Sequence, residues 1–488
     1  TAPAAVVDGS DVCLPGGVVE TLPEHVTHLG HLAALCGPDA LALGHGGGKD
    51  TLPDLGQVWL TETTLERLGL PLTLPDDGKA RDRALANLRR APAVADALEQ
   101  GWQIGTKGVR EWTRIWHPEQ LPRGAFLIAH PWQRVDGVAL WADQPEPLQL
   151  VDRLAAFAAA TGISYRINPA TTGMDLIDHT RPPLREGEQD VSRVAVPKGV
   201  GADLPPFLHN RSDQRIINLE PDFFWGRTYS SLGREEKARR YVHGFDRNKS
   251  YLVPWSSTEL GIGDLTHLTG EQARWDGKSE APGYYRITQP TWAHTHLPSP
   301  VGSSSARLSD GTMWVTVHTL RQLAAHDVDV EVHEAWVWGT TSRYLALAHK
   351  RLKPLLETPE KTPVTQTLKS LYSSTVGKLA QGKHDPNYHL WRPDWKDHLI
   401  AQSRTAILHT LSANADRSGI YPLVVSRDLI IYASDEADPV AAWPGDPAKL
   451  GTGLGQWKPV GRADMETWGP KHLTRRPGGW HLNAGHLG

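Results

Sequence analysis

The sequence predicts a mixed α/β chain. β-leaning runs and segments of helical period alternate along its 488 residues. A carboxylate, Asp246, closes the strand-like run Tyr241 to Phe245, and a second, Asp428, sits at the turn of a hairpin spanning Ile420 to Tyr432. Two helical segments rich in lysine and arginine lie between them in the sequence.

Composition bounds the rest. Hydrophobic residues make up 39% and charged residues 22%, ordinary globular usage in a chain long enough for about two to four domains. Mean hydropathy is −0.40, and no run approaches the length of a membrane span, so no membrane partner is expected. The start, Thr1-Ala-Pro-Ala-Ala5, lacks a basic stretch followed by an apolar core, so no signal peptide is expected; it also lacks Met, which points to a trimmed chain. Two cysteines, Cys13 and Cys36, make neither a disulfide framework nor a zinc site and fit a reducing cytoplasm. A net charge of −4 argues against a basic coat for nucleic acid but leaves room for a local basic groove. The 19 Trp serve either packing or base stacking. The 23 His offer no metal-type spacing, and His294-Thr-His296 is a strand-type pair.

In chain order, Val58-Trp-Leu60 reads as a strand, Thr61 as the cap of a helix from Glu62 to Leu68, and Gly69 as its stop. Gly46-Gly-Gly-Lys-Asp50 lacks phosphate-loop spacing and reads as a loop. Residues 80–110 are Ala-, Leu- and Arg-rich and read as helical. Strands are expected at Ala125–Ala129, Val138–Ala142 and Ile163–Ile167, with a helix from Leu148 to Ala160 closed by Gly162. That order suits an RNase H-like domain, but without an Asp-x-Glu pair on its first strand it is expected to be catalytically silent. The Pro- and Gly-rich stretch 180–210 reads as a boundary. A short helix is expected over Gly233–Arg240, strands over Gly283–Thr288, Met313–Val317 and Val330–Trp338, and a helix over Val317–His326. A helix from Ser342 to Glu357 carries Lys350, Arg351 and Lys353, and Pro354 is expected to kink it or end it early. Helices from Thr365 to Ala380, with Lys369, and from Trp395 to Asn414 precede the hairpin.

A sheet can bring a strand end and a hairpin tip together. Two carboxylates there suit two Mg²⁺ ions about 3.5–4 Å apart, the arrangement used for in-line phosphoryl transfer. Each residue also has a plain structural reading: Asp246 as a strand-end cap, Asp428 as a turn residue, Tyr251 as a core aromatic, and the lysines and arginines as a solvated face.

Asp246-Arg-Asn-Lys-Ser-Tyr251 resembles motif A of family B DNA polymerases, especially the protein-primed branch. Lys369-Ser-Leu-Tyr-Ser-Ser-Thr-Val-Gly377 resembles motif B, and Ser426-Arg-Asp428 sits where motif C has Asp-Thr-Asp. Leu454-Gly-Gln-Trp-Lys458 resembles the stretch that begins the thumb. Phe245-Asp-Arg-Asn248, Ser257-Thr-Glu-Leu-Gly-Ile-Gly263, Ser374-Thr-Val-Gly-Lys-Leu379, Trp391-Arg-Pro-Asp394 and Tyr421 to Asp428 narrow the resemblance to the telomere-associated proteins (Tap) of actinobacterial linear replicons, over about residues 230–460. No helix-turn-helix of the kind that usually precedes this region in that family is visible, so duplex-specific binding is not carried over.

The resemblance implies a right-hand polymerase fold behind an N-terminal RNase H-like, degenerate exonuclease-like domain. Its expected parts are an N-terminal α/β region (1–190), a linker leading into the palm (191–240), palm (241–340), fingers (341–385), palm again (386–445) and a thumb-like tail (446–488). It implies Asp246 and Asp428 as catalytic ligands of Mg²⁺ or Mn²⁺, and Tyr251 as the aromatic that discriminates the sugar. Lys369, with Arg351 or Lys353, would contact the triphosphate, and Gly377 would allow close approach of the template–nucleotide pair. Lys458 and Lys378 would contact DNA. The implied partners are deoxynucleoside triphosphates, DNA with a single-stranded 3′ overhang or a primer–template, and a terminal protein; the implied place is the cytoplasm, at the nucleoid. The implied activity is protein-primed deoxynucleotidyl transfer at telomeres. The alternatives are an inactive scaffold that binds single-stranded telomeric DNA and a phage or plasmid replicative polymerase. Against the family pattern, Ser426 replaces the first motif C Asp, Ser373 and Val376 replace the motif B Asn and Tyr, and Leu252 replaces the motif A Pro.

Overall fold

The computed structural model describes residues 2–37, 40–45, 54–119, 124–133, 137–184, 189–193, 219–277, 281–301, 308, 310–381, 388–474 and 480–487. The chain divides into two units, residues 1–179 with 358–375 and residues 180–357 with 376–488. Strands and helices mix in both, as the sequence predicts, and among the described residues the strands form three sheets.

Unit 1 starts with an antiparallel meander: β1 (Ala4–Asp8), β2 (Asp11–Leu14) and β3 (Val18–Thr21). Helix α1 (Leu29–Ala34) and the short β4 (Gly44–His45) lead to β5 (Asp54–Leu60), which pairs with β1 in parallel, Ala4 opposite Gln57. Ala4 to Val7 are all buried, as a strand covered on both faces requires. After α2 (Glu62–Arg67), α3 (Gly78–Asn87) and α4 (Pro92–Glu99) come β6 (Gln103–Ile104), β7 (Trp112–Trp116) and β8 (Ala125–Ala129). The sheet order is β3-β2-β1-β5-β8-β7-β6, with β4 on β5. Helix α5 (Pro147–Thr161) buries Leu150, Val151, Leu154 and Phe157 and ends at Gly162, φ 78°. Helix α6 (Pro169–His179) follows. Gly69, φ 65°, ends α2 in the same left-handed way. Thr61 stands at the N-cap of α2, but its hydroxyl donates to Asp8 Oδ1 (2.7 Å) instead of accepting from the helix.

Two expected strands are absent, and side chains explain both. At Val138–Ala142 the chain turns: Ala139 N donates to Thr367 Oγ1 (3.1 Å), and Leu140 O accepts from Arg153 (3.1 Å). At Ile163–Ile167, Tyr165 O accepts from the buried Gln57 amide (2.7 Å). Backbone groups met by side chains need no ladder. The helical reading of 80–110 holds only to Glu99. Gly46 to Asp50 lies outside the described residues, as do 185–188 and 194–210 of the expected boundary.

In unit 2, β9 (Phe224–Gly226), helix α7 (Arg234–Ala238) and β10 (Tyr241–Arg247) lead to β11 (Leu260–Thr269), β12 (Gly283–Thr288) and β13 (Thr312–Thr316). Helix α8 (Val317–Ala324), β14 (Val332–Ser342) and α9 (Ala346–Glu357) follow. Pro354 neither ends nor shortens α9; it sits in the last turn, where little helix remains to disrupt. Strand β11 was unforeseen because Gly261, Gly263 and Asp264 break its pattern; its register with β14 shifts at that point, where Gly263 has φ 73°. Strands β11, β14, β12 and β13 form one antiparallel sheet.

Helix α10 (Pro363–Leu379) has its residues through Thr375 in unit 1 and the rest in unit 2. Helix α11 (Pro393–Ser418) runs 26 residues to Gly419, φ 71°. It leads to the hairpin of β15 (Val424–Ser426) and β16 (Leu429–Ser434). Strand β17 (Trp457–Asp464) and helix α12 (Met465–His472) complete unit 2. The second sheet runs β17-β10-β16-β15-β9. Its strands alternate between two cores. Phe245, Val425 and Ile430 meet Ile407, Leu408 and Leu411 of α11 on one face. Val242, Val424 and Ile431 meet Met465 and Trp468 of α12 on the other. The segment expected as a thumb-like tail therefore supplies the edge strand of this sheet.

Trp59, Trp255, Trp338, Trp395 and Trp457 are fully buried, which is the packing role. Cys13 and Cys36 are buried and free, and burial pushes the Cys36 thiol up to about 12. Among the described residues no helix is long and apolar enough to cross a membrane.

Candidate active site

Strand β10, between β17 and β16, carries Asp246 into register opposite Leu429 on one side and Lys458 on the other. Asp428 is one step from Leu429, and its carbonyl accepts from Arg247 N (3.0 Å). Register thus brings Asp246, Asp428 and Lys458 together. Lys458 Nζ lies 2.8 Å from Asp246 Oδ2, an ion pair that is about one-third exposed. Burial pushes the Asp428 carboxyl up to about 6, with the charge of Asp246 as the next cause.

Asp428 and Arg427 form the two-residue turn between β15 and β16. Arg427 takes φ 56°, a conformation that favours glycine. Its N–H donates to Phe223 O (2.7 Å), and its guanidinium lies 5.4 Å from the Phe224 ring centroid. The strained turn is thus held from β9.

Tyr251 donates its hydroxyl to Asp222 Oδ2 (2.8 Å). Burial raises Asp222 most, against the pull of Tyr251, Arg427, Arg404 and Lys396. Asp222, Ser250, Tyr251, Ser403, Arg404, Arg427 and Asp428 line one small cavity. Arg247 is buried, which brings its guanidinium down to about 10 while Asp428 opposes the shift; among the described residues its Nη1 has no hydrogen-bond partner.

The other expected residues lie elsewhere. Arg351 and Lys353 are exposed on α9, which packs on the turn Val253–Ser256 just after Tyr251. Gly377 is exposed on α10, and a Cβ there would meet nothing within 4 Å; Lys378 follows, half-buried. Lys369 is exposed on the part of α10 that belongs to unit 1.

The sequence reading missed Asp222, Arg247 and Arg404. Asp222 fell in the stretch expected as a linker, and the only hint was the Phe-Phe-Trp run after it. Arg247 lies within the motif around Asp246, but only the tertiary register gives it Asp428 as a neighbour.

The donor chemistry fits a divalent ion at Asp246 and Asp428. Two carboxylates crowd each other, and such ions use one or two carboxylates together with phosphate oxygens. Among the described residues no group of three His, Cys, Asp or Glu could hold a metal by itself.

A family model described as a domain of unknown function (DUF8841) matches residues 3–164. No curated protein matches the chain in sequence. Among solved structures, the chain is similar to Phi29 DNA polymerase complexed with primer-template DNA and incoming nucleotide substrates. Identity is 13%, the match covers 83% of this chain and 76% of that one, and the TM-score is 0.48. Phi29 DNA polymerase complexed with single-stranded DNA matches at 14% identity over 84% of this chain and 76% of that one, TM-score 0.42.

Proposed function

We propose that unit 2 is a polymerase-like deoxynucleotidyltransferase, transferring deoxynucleotides to a terminal protein or a DNA 3′ end at the telomeres of a linear replicon. The observation that carries this reading is the register that sets Asp246 beside Asp428. Asp246 and Asp428 would hold Mg²⁺ or Mn²⁺. Such an ion supplies a lowered pKa for an attacking hydroxyl and charge neutralisation for the leaving pyrophosphate. The chain's own groups do the rest. Asp222 fixes the Tyr251 hydroxyl and so the ring that would sit under the sugar. Arg247 brings a buried cation with an open donor to the side of Asp428, suited to a phosphate oxygen. On the motif resemblance, Arg351 and Lys353 of unit 2 are assigned to the triphosphate, Gly377 to the template–nucleotide pair, and Lys378 and Lys458 to DNA; Lys369, in unit 1, is left out of this site. In unit 1, a meander followed by two parallel strands supports the RNase H-like reading.

The test is transfer of labelled deoxynucleotide, with Mg²⁺ or Mn²⁺, to a 3′-overhang primer and to a cognate terminal protein. Label on either acceptor is expected, falling about a hundredfold or more in Asp428→Ala. No label on either acceptor with either metal would overturn the reading.

One observation favours a second reading, a scaffold without turnover: Lys458 already neutralises Asp246. On that reading, overhang binding is tight and salt-sensitive and does not change in Asp246→Ala.

A further inference from the structure

A cleft of about 1050 Å³ opens in unit 1 between the β6–β7 hairpin and the turn before α6. Lys107, Arg110, Trp112, Arg114, Trp116 and Ile167 line it. Its wall is cationic and aromatic at once. The Arg114 guanidinium lies 5.3 Å from the Trp116 ring centroid, and Arg114 is exposed. Trp112 is braced through its N–H, which donates to Gln133 Oε1 (2.7 Å), and edge-on against Trp59 at 5.4 Å. A braced indole loses little freedom when a flat ligand stacks on it.

The charges are unevenly spent. Glu111, the acid in the lining, is paired with Arg81 (2.6 Å), and Arg110 is paired with Asp82 (2.7 Å). Among the described residues neither Lys107 nor Arg114 has a carboxylate within ion-pair reach, so the cleft keeps two cations for a ligand.

The opposite lip adds an independent sign. Ile167 has φ 44°, a conformation that β-branched residues avoid, and Asn168 N donates to Arg166 O across it in a tight three-residue turn. Yet Ile167 is 46% exposed, so no core burial explains the strain. Strained backbone of this kind persists at ligand clamps. Ile167 thus adds an exposed apolar side chain to the lining that it shares with Trp112 and Trp116, a setting suited to a flat base.

We propose that this cleft binds single-stranded polynucleotide, with bases on Trp112, Trp116 and the Arg114 plane against Ile167, and phosphates on Lys107 and Arg114. Stacking of bases on aromatic and guanidinium planes beside backbone cations is how such strands are held without sequence preference. The site lies wholly within unit 1 and does not depend on the nucleotidyl-transfer reading of unit 2.

The experiment uses the full chain with labelled oligo-dT and oligo-U of about 12 nucleotides, measured by anisotropy across a salt series. A second arm photo-crosslinks the halogenated oligonucleotides and maps the adducts. Binding is expected, with adducts on Trp112 or Trp116. In K107Q/R114Q, affinity is expected to fall about tenfold and the salt slope by about 0.7 per residue changed. The two oligonucleotides separate DNA from RNA as the source of the strand. No complex, adducts confined to residues outside 103–169, or an unchanged affinity in K107Q/R114Q would overturn the proposal. Absence of deoxynucleotide transfer would sink the reading of unit 2 and leave this one standing.

Discussion

Two buried acids set the residue scale. Asp397 on α11 accepts from Tyr284 (3.0 Å) and from Lys396 (3.2 Å), yet burial still pushes its carboxyl up to about 6. The folded chain therefore keeps a proton that the unfolded chain gives up near pH 4. Stability from this group is full below pH 4 and is lost as pH rises through 6. Asp397→Asn keeps an acceptor for Tyr284 and removes the titration. The variant should gain on the unaltered chain between pH 4 and 6, by about 1–3 kcal/mol in denaturant unfolding; a gap that stays flat with pH would refute the assignment. Asp428 shares the shift but has an additional cause in Asp246. Asp246 and Asp428 were legible because each sits in a local signature, a strand end or a hairpin turn. Asp222 and Arg247 were not, because their neighbours come from distant chain that only the folded register brings near.

At the scale of elements, the sheets of unit 2 are tied by a buried knot. Arg404 of α11 pairs with Glu220, which also accepts from Thr316 N and Oγ1 (2.7 Å each) and from Thr319 Oγ1 (2.9 Å). Arg404 further donates to Pro221 O (2.7 Å), one residue before Asp222. Removing one partner strands a charge in the interior. Arg404→Met should cost about 3–5 kcal/mol, read by chemical denaturation, and adding Glu220→Gln should recover part of the loss. If the double variant were as weak as the single one, the knot would be packing rather than charge. Helices here were easily read, since Leu150, Val151, Leu154 and Phe157 of α5 repeat at helical spacing. The failures came where a short apolar run had its backbone met by Gln57, Arg153 or Thr367. Nothing local distinguishes such a run from a strand.

At the scale of the whole molecule, unit 1 is not one stretch of chain. Residues 358–375 belong to it, and they are woven in tightly. A Cβ added at Gly173 on α6 would overlap Thr375 Oγ1, and one at Gly137 would come within 3.3 Å of Ser370 Oγ. Gly173→Val in the full chain should lower stability by about 1–3 kcal/mol through overpacking, measured by denaturant unfolding, with Thr375→Gly restoring most of it. No rescue would mean that the two helices are not in contact. The sequence reading could not foresee this division, because α10 has one continuous helical pattern and nothing in it marks Thr375 as a border.

The split helix also bears on descent. A gene segment encoding only residues 1–179 would carry the meander, the aromatic cleft and α6, but it would leave behind the strip that closes over Gly173 and supplies Thr367 to Ala139. Such a segment would lose the packing at Gly173 and the hydroxyl that meets the Ala139 N–H. Division of the gene at residue 179 would therefore cut through the packing of unit 1 rather than between the two units.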